Sequence, residues 1–134
     1  VGGPDAGAEA ARLARAAAGA PVVVETAAGD YRARLGACAA SVSLFGYNTA
    51  LDLAQTGAPS VVVPSDEGGE REQTLRAEAF ARRSAQFEIL RMAELSPPRL
   101  ADAVERAAAR GRAAPMTLDL GGAARSARIL LGQE

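Results

Sequence analysis

The sequence predicts an α/β domain, a doubly wound parallel sheet in a Rossmann-like three-layer αβα sandwich. Short strand-like runs recur at Pro21–Glu25, Ser41–Phe45 and Ser60–Val63. The first is a continuous β-branched run, as expected of a strand covered on both faces. Stretches of helix formers separate them, which is the pattern of βαβ units. A glycine turn, Gly46-Tyr47-Asn48-Thr49, follows the second run. In open α/β sheets that is where ligands sit, just outside the carboxyl ends of the strands.

Taken in order, Val1-Gly2-Gly3-Pro4-Asp5 reads as the tail of a strand entering a glycine turn. The chain is therefore expected to be a fragment that begins inside a larger protein. Ala8 to Ala18 are helix formers with Leu13 on the inner side, stopped by Gly19 and Pro21. Pro21–Glu25 is expected as a buried strand and Thr26–Gly29 as its exit loop. Asp30 then caps a helix to about Ala39, with Tyr31 assigned to packing. After strand Ser41–Phe45, Asn48 or Thr49 is expected to cap a helix through Thr56, closed by Gly57 and Pro59. Strand Ser60–Val63 leads to an acidic, glycine-containing loop, Ser65–Glu70, and a helix from Glu70 to about Arg83. Gln86–Leu90 alternates as an edge-side strand. Ser96-Pro97-Pro98 starts a helix with Leu100, Val104, Ala107 and Ala108 on one face before Gly111. A last helical segment runs from Asp119, as cap, to Leu131.

At 134 residues the chain is one domain, residues 1–134, of a size that buries roughly two-thirds of its unfolded surface. Formal charge is −1, and all 15 basic residues are arginine, interspersed with the acids. No basic face is concentrated enough to supply counterion release, which argues against a nucleic-acid binder. Without histidine, and with Cys38 as the lone cysteine, neither a disulfide, a cysteine-rich zinc site nor histidine acid–base chemistry is available. Cys38 continues the Tyr31 and Leu35 face and is read as a packed thiol. No apolar run approaches the roughly 20 residues of a membrane span, and no signal peptide is visible, so a cytoplasmic location is expected.

The Gly46-Tyr47-Asn48-Thr49 turn places backbone N–H groups and two small polar side chains at a helix N-terminus. Such an end attracts an anion, a phosphate above all. The Asp52 carboxylate, three residues past Thr49, is able to accept two ribose hydroxyls. The competing reading of Thr49-x-x-Asp52 is a capping box that serves only the helix. Likewise Glu72-Gln73 opens a helix, where a carboxylate favours the dipole with no ligand at all. The acidic loop raises magnesium, whose preferred ligands are hard oxygens; solvated surface carboxylates explain it equally, and no metal or other cofactor is assigned. At Gly2 and Gly3 a strand-to-helix turn calls for glycine through backbone geometry, with or without a ligand.

The nonapeptide Leu44–Asp52, the strand between Pro59 and Pro64, and the later Glu72-Gln73 together resemble the donor-binding half of a GT-B glycosyltransferase. The similarity is to the glycosyltransferase family 28 C-terminal domain, in particular that of the bacterial enzymes adding N-acetylglucosamine to the lipid precursor of peptidoglycan. It covers roughly Asp30 to Ala79 well and the flanks by pattern only. The resemblance implies that Gly46, Asn48 and Thr49, with Gly2 and Gly3, hold the donor diphosphate. Asp52 then holds the ribose, and Glu72 and Gln73 the sugar hydroxyls. Leu44 stands where many relatives in the wider group carry a histidine on the diphosphate, and Arg76 where relatives tend to have asparagine.

The function so implied is donor binding in an inverting hexosyltransferase using a nucleotide sugar, with UDP as the nucleotide. The acceptor and the general base would belong to an N-terminal domain of the same protein, through which a peripheral membrane acceptor is reached. No catalytic residue is identified in this half, and the isolated domain is expected to transfer no sugar. Two alternatives stay open: half of a nucleotide-sugar epimerase, and a non-catalytic Rossmann-like binding module.

Overall fold

The structure, a computed structural model, describes residues 5–26, 29–65, 71–119 and 121–132. The chain divides into two units, Val1–Arg34 and Leu35–Glu134. In the first, helix α1 (Ala6–Ala16) buries none of its residues. Gly19 follows with φ 87°, a left-handed conformation that suits glycine. The Pro21–Glu25 run corrects the strand expectation: it joins no sheet ladder, and Val23 is 83% exposed. β-branched residues favour an extended backbone, but a strand also needs a neighbouring strand to pair with, and among the described residues no strand pairs with this run. Arg34 pairs with Glu25 and, at 2.9 Å, with Asp30. Helix α2 (Tyr31–Ala37) stops short of Ala39, and Tyr31, expected to pack, is 40% exposed.

The second unit is a Rossmann-like α/β fold. Strands β1 (Ser41–Ser43), β2 (Ser60–Val62) and β3 (Phe87–Ile89) form a parallel sheet in the order β1-β2-β3 among the described residues. Helix α3 (Tyr47–Thr56) links the first two strands and α4 (Glu72–Ala81) the second two. Because the chain steps in one direction across the sheet, a constant crossover hand puts both helices on one face. Burial agrees. Phe45, Ala50, Leu53, Ala54, Val62, Ala77 and Phe87 form one cluster, while Val61, Val63, Leu90, Ala103 and Ala107 form another on the opposite face. The second cluster is covered by α5 (Pro97–Arg110), whose cap is Ser96 with proline in the first turn, as the sequence indicates. The sheet is thus sandwiched between helical layers.

The first cluster is centred on the rings of Phe45, Phe80 and Phe87, mutually edge-on with centroids 5.5–5.6 Å apart. Such geometry opposes ring edges to ring faces and adds to the area each ring buries. Gly57 ends α3 at φ 65°, and a Cβ there would lie 2.0 Å from the Ala113 carbonyl oxygen. Only glycine lets the 111–119 segment pass so close, and Ala113 N–H donates to Gly57 C=O at 3.0 Å. Gln86, buried in this layer, donates to the Leu53 carbonyl at 2.9 Å. Arg112 donates to the carbonyls of Thr56, Leu35 and Cys38 at 2.9, 3.0 and 3.1 Å, satisfying helix-end acceptors. Cys38 is half-buried against the first cluster, as a packing thiol should be. Helix α6 (Gly122–Leu130) begins later than expected: Gly121 is its N-cap, and Asp119 instead accepts the Gly121 N–H at 2.8 Å.

Candidate functional site

Parallel pairing brings the carboxyl ends of β1 and β2 to the same edge of the sheet, and the predicted site residues described by the structure leave from that edge. Phe45, fully buried, anchors the exit of β1. Gly46 follows with φ −61° and ψ 163° and is the N-cap of α3. The first bond into the helix runs from Ala50 N–H to Gly46 C=O at 2.9 Å. The amides of Gly46 to Thr49 therefore precede the ladder at the positive end of the dipole, and the N-cap, a glycine, makes no side-chain cap bond.

This corrects the expected cap. Asn48 and Thr49 are the second and third residues of α3 rather than its N-cap, so Thr49 and Asp52 do not form a capping box. Instead Asn48, Thr49 and Asp52 stand at i, i+1 and i+4 on the first turns, with Asn48 exposed and the other two half-buried. Residues three and four apart share a helix face, so Asp52 lies beside both. Gly46 is informative for another reason. Its φ suits any residue, and a Cβ there would meet nothing within 4 Å. Neither backbone strain nor packing calls for glycine; its effect is to leave the helix entrance bare.

Two side chains of α4 hold this corner. Gln73 Oε1 accepts the N–H of Phe45 at 3.1 Å and of Ser65 at 3.2 Å, tying the exits of β1 and β2 together. Its carbonyl oxygen is thereby used by two backbone donors. Arg76 Nη1 donates to Phe45 C=O at 2.8 Å, and Nη2 pairs with Glu72. The guanidinium carbon lies 5.7 Å from the centre of the Tyr47 ring, within cation–π range. Glu72 is the first residue of α4, and its side chain is 76% exposed. Arg71, at the N-cap, is exposed and makes no side-chain cap bond. Leu44 is 54% exposed and offers no polar contact.

Gly2 and Gly3 lie outside the described residues, as does most of the acidic loop, 66–70. Among the described residues no group of three or more acidic or cysteine side chains is placed to hold a metal. Nor is any helix long and apolar enough to cross a membrane. A cavity of about 270 Å³ beyond β3 is lined by Glu88, Glu94, Arg99, Asp102 and Arg106. Its charges answer one another: Arg106 and Arg110 both bond Glu88, and Arg99 bonds Glu94. Burial pushes the Glu88 carboxyl up, but the bonds from Arg106 and Arg110 outweigh it and hold the group below the usual carboxylate value. This tie joins β3 to α5 and is structural.

Tyr47 and Arg76 are the members of the site that sequence reasoning did not assign to it. The signal available for Arg76 was its place four residues after Glu72, the spacing of a helical ion pair.

Fold and site define a Rossmann-like α/β domain in which a helix with a glycine N-cap starts outside the carboxyl ends of a parallel sheet. The family model described as Glycosyltransferase family 28 C-terminal domain matches residues 15–126, and the chain belongs to that family. It is a glycosyltransferase domain, of a class that works with a nucleotide-sugar donor and an acceptor. No curated protein and no solved structure matches the chain at a significant level.

Proposed function

We propose that the site binds the donor of an inverting GT-B glycosyltransferase, with the diphosphate of a UDP-sugar on the N-terminus of α3. The observation that carries this reading is the helix entrance at Gly46: four leading amides, no side-chain cap, and a glycine that neither φ nor packing demands. Gly46, Asn48 and Thr49 would bind the diphosphate. Asp52, one turn along the same face, would accept the ribose hydroxyls. Glu72 would accept hydroxyls of the sugar, and Gln73 would donate to its oxygens through the amide nitrogen.

Chemically, the fixed amides of α3 oppose the negative charge that builds on the departing nucleoside diphosphate, and a preorganised dipole does so without reorganising. Acceptor and general base belong to an N-terminal domain of the same protein, in a reaction like the cytoplasmic addition of N-acetylglucosamine to a bacterial membrane-bound acceptor. This chain alone then binds donor without turning it over. Calorimetry with UDP-N-acetylglucosamine and UDP tests the reading. Binding weakened at least tenfold by Asp52→Ala, with no glycoside formed by the isolated chain, is the expected result. Sugar transfer by this chain alone, or binding indifferent to Asp52, contradicts it.

A further inference from the structure

We propose that Arg76 is a positioning residue of the donor site, acting through Glu72; this rests on the reading of Glu72 as a sugar contact. The Arg76 side chain is only 14% exposed, and it serves a backbone carbonyl, a carboxylate and a ring face at once. A planar fork with five donors manages this, whereas a lysine ammonium does not.

Its partners differ in what else secures them. Phe45 is fully buried among Phe80 and Phe87, and its N–H is held by Gln73. The β1 exit therefore stays in place without the guanidinium. Glu72 has no such second anchor: it is 76% exposed, and Arg76 is its ion-pair partner among the described residues. Without Arg76 the carboxylate samples several rotamers over open solvent. With it, Glu72 is an acceptor fixed between the first turn of α4 and the mouth of α3. Arg76 also balances the charge of Glu72, which matters beside a diphosphate, where a lone carboxylate would repel the donor.

The test is a double-mutant cycle of Glu72→Gln, Arg76→Met and both, reading the affinities of UDP and UDP-N-acetylglucosamine by calorimetry. Losing one charged hydrogen bond lowers affinity by about tenfold. Each single variant is expected to bind UDP-N-acetylglucosamine about tenfold more weakly and UDP within about twofold of the parent. The double variant should be no worse than either single, since coupled residues are not additive. Arg76→Lys, which keeps the charge without the fork, is expected to match Arg76→Met and serves in its place if that variant does not fold. Additive losses would mean that Arg76 touches the donor itself and would overturn the proposal. So would a loss of UDP affinity equal to the loss of sugar-nucleotide affinity, or a neutral Glu72→Gln. If the parent chain binds neither nucleotide, the donor reading itself fails and takes this proposal with it.

Discussion

Gln73 offers a way to separate holding the site together from contacting a ligand. Its Oε1 accepts two backbone N–H groups, from Phe45 and Ser65, at 3.1 and 3.2 Å. Gln73→Leu removes the acceptor and strands both donors at a half-buried corner. At roughly 1–1.5 kcal/mol for each partly desolvated N–H, the loss is about 2–3 kcal/mol. For a chain of this length that lowers Tm by about 6–12 °C. Gln73→Glu keeps an oxygen in the same place. It adds a negative charge in the first turn of α4, where the helix dipole favours it, so its stability should stay within about 0.5 kcal/mol of the parent. Urea unfolding followed by circular dichroism measures both. Equal losses in the two variants, or a neutral Gln73→Leu, would refute the strap. Gln73→Glu also removes the amide donors; if they meet the sugar, it should weaken UDP-N-acetylglucosamine binding with stability and UDP affinity unchanged, whereas repulsion by the new carboxylate would weaken UDP as well.

Three further outcomes follow from the packing. Gly57→Ala sets a methyl 2.0 Å from the Ala113 carbonyl at a positive φ, and should cost at least about 2 kcal/mol in urea unfolding. Arg112→Met frees three carbonyls at helix ends and should cost about 1–2 kcal/mol, the low figure reflecting solvent that reaches this exposed side chain. Glu88, whose folded pKa is depressed, adds stability above its unfolded value of about 4.3 and loses it as pH falls through the folded value. Glu88→Gln should therefore be less stable than the parent near neutral pH, with the gap closing on acidification; a gap constant from pH 7 to pH 3 would contradict the assignment.

Much of this architecture is legible residue by residue. Val61 to Val63, between prolines, reads as a buried strand and lies at the centre of the sheet. Ser96-Pro97-Pro98 reads as a helix start and is one. What failed depends on contacts that local pattern does not encode. Val22 and Val23 look like a strand, but extended conformation becomes a strand only where a neighbour takes its hydrogen bonds. The start of α3 was misplaced because Asn48 and Thr49 are better side-chain caps than glycine. The β1 exit ahead of α3 is held by the buried Phe45 ring and by Gln73 on its N–H, with Arg76 also donating to its C=O. The two α4 side chains lie 28 and 31 residues away, beyond any local signal. For the same reason the choice between capping box and ligand site stood open in the sequence, and the register of α3 decides against the box.

The central claim is that the bare N-terminus of α3 receives a nucleoside diphosphate. Its most direct test is an amide NMR titration of the chain with UDP, GDP, ADP and dTDP, with Asp52→Ala as control. UDP is expected to shift the amides of Gly46 to Asp52 first and most, the other nucleotides more weakly, and Asp52→Ala to abolish the preference. Amides that stay still at millimolar UDP, or shifts confined to another edge of the sheet, would contradict it.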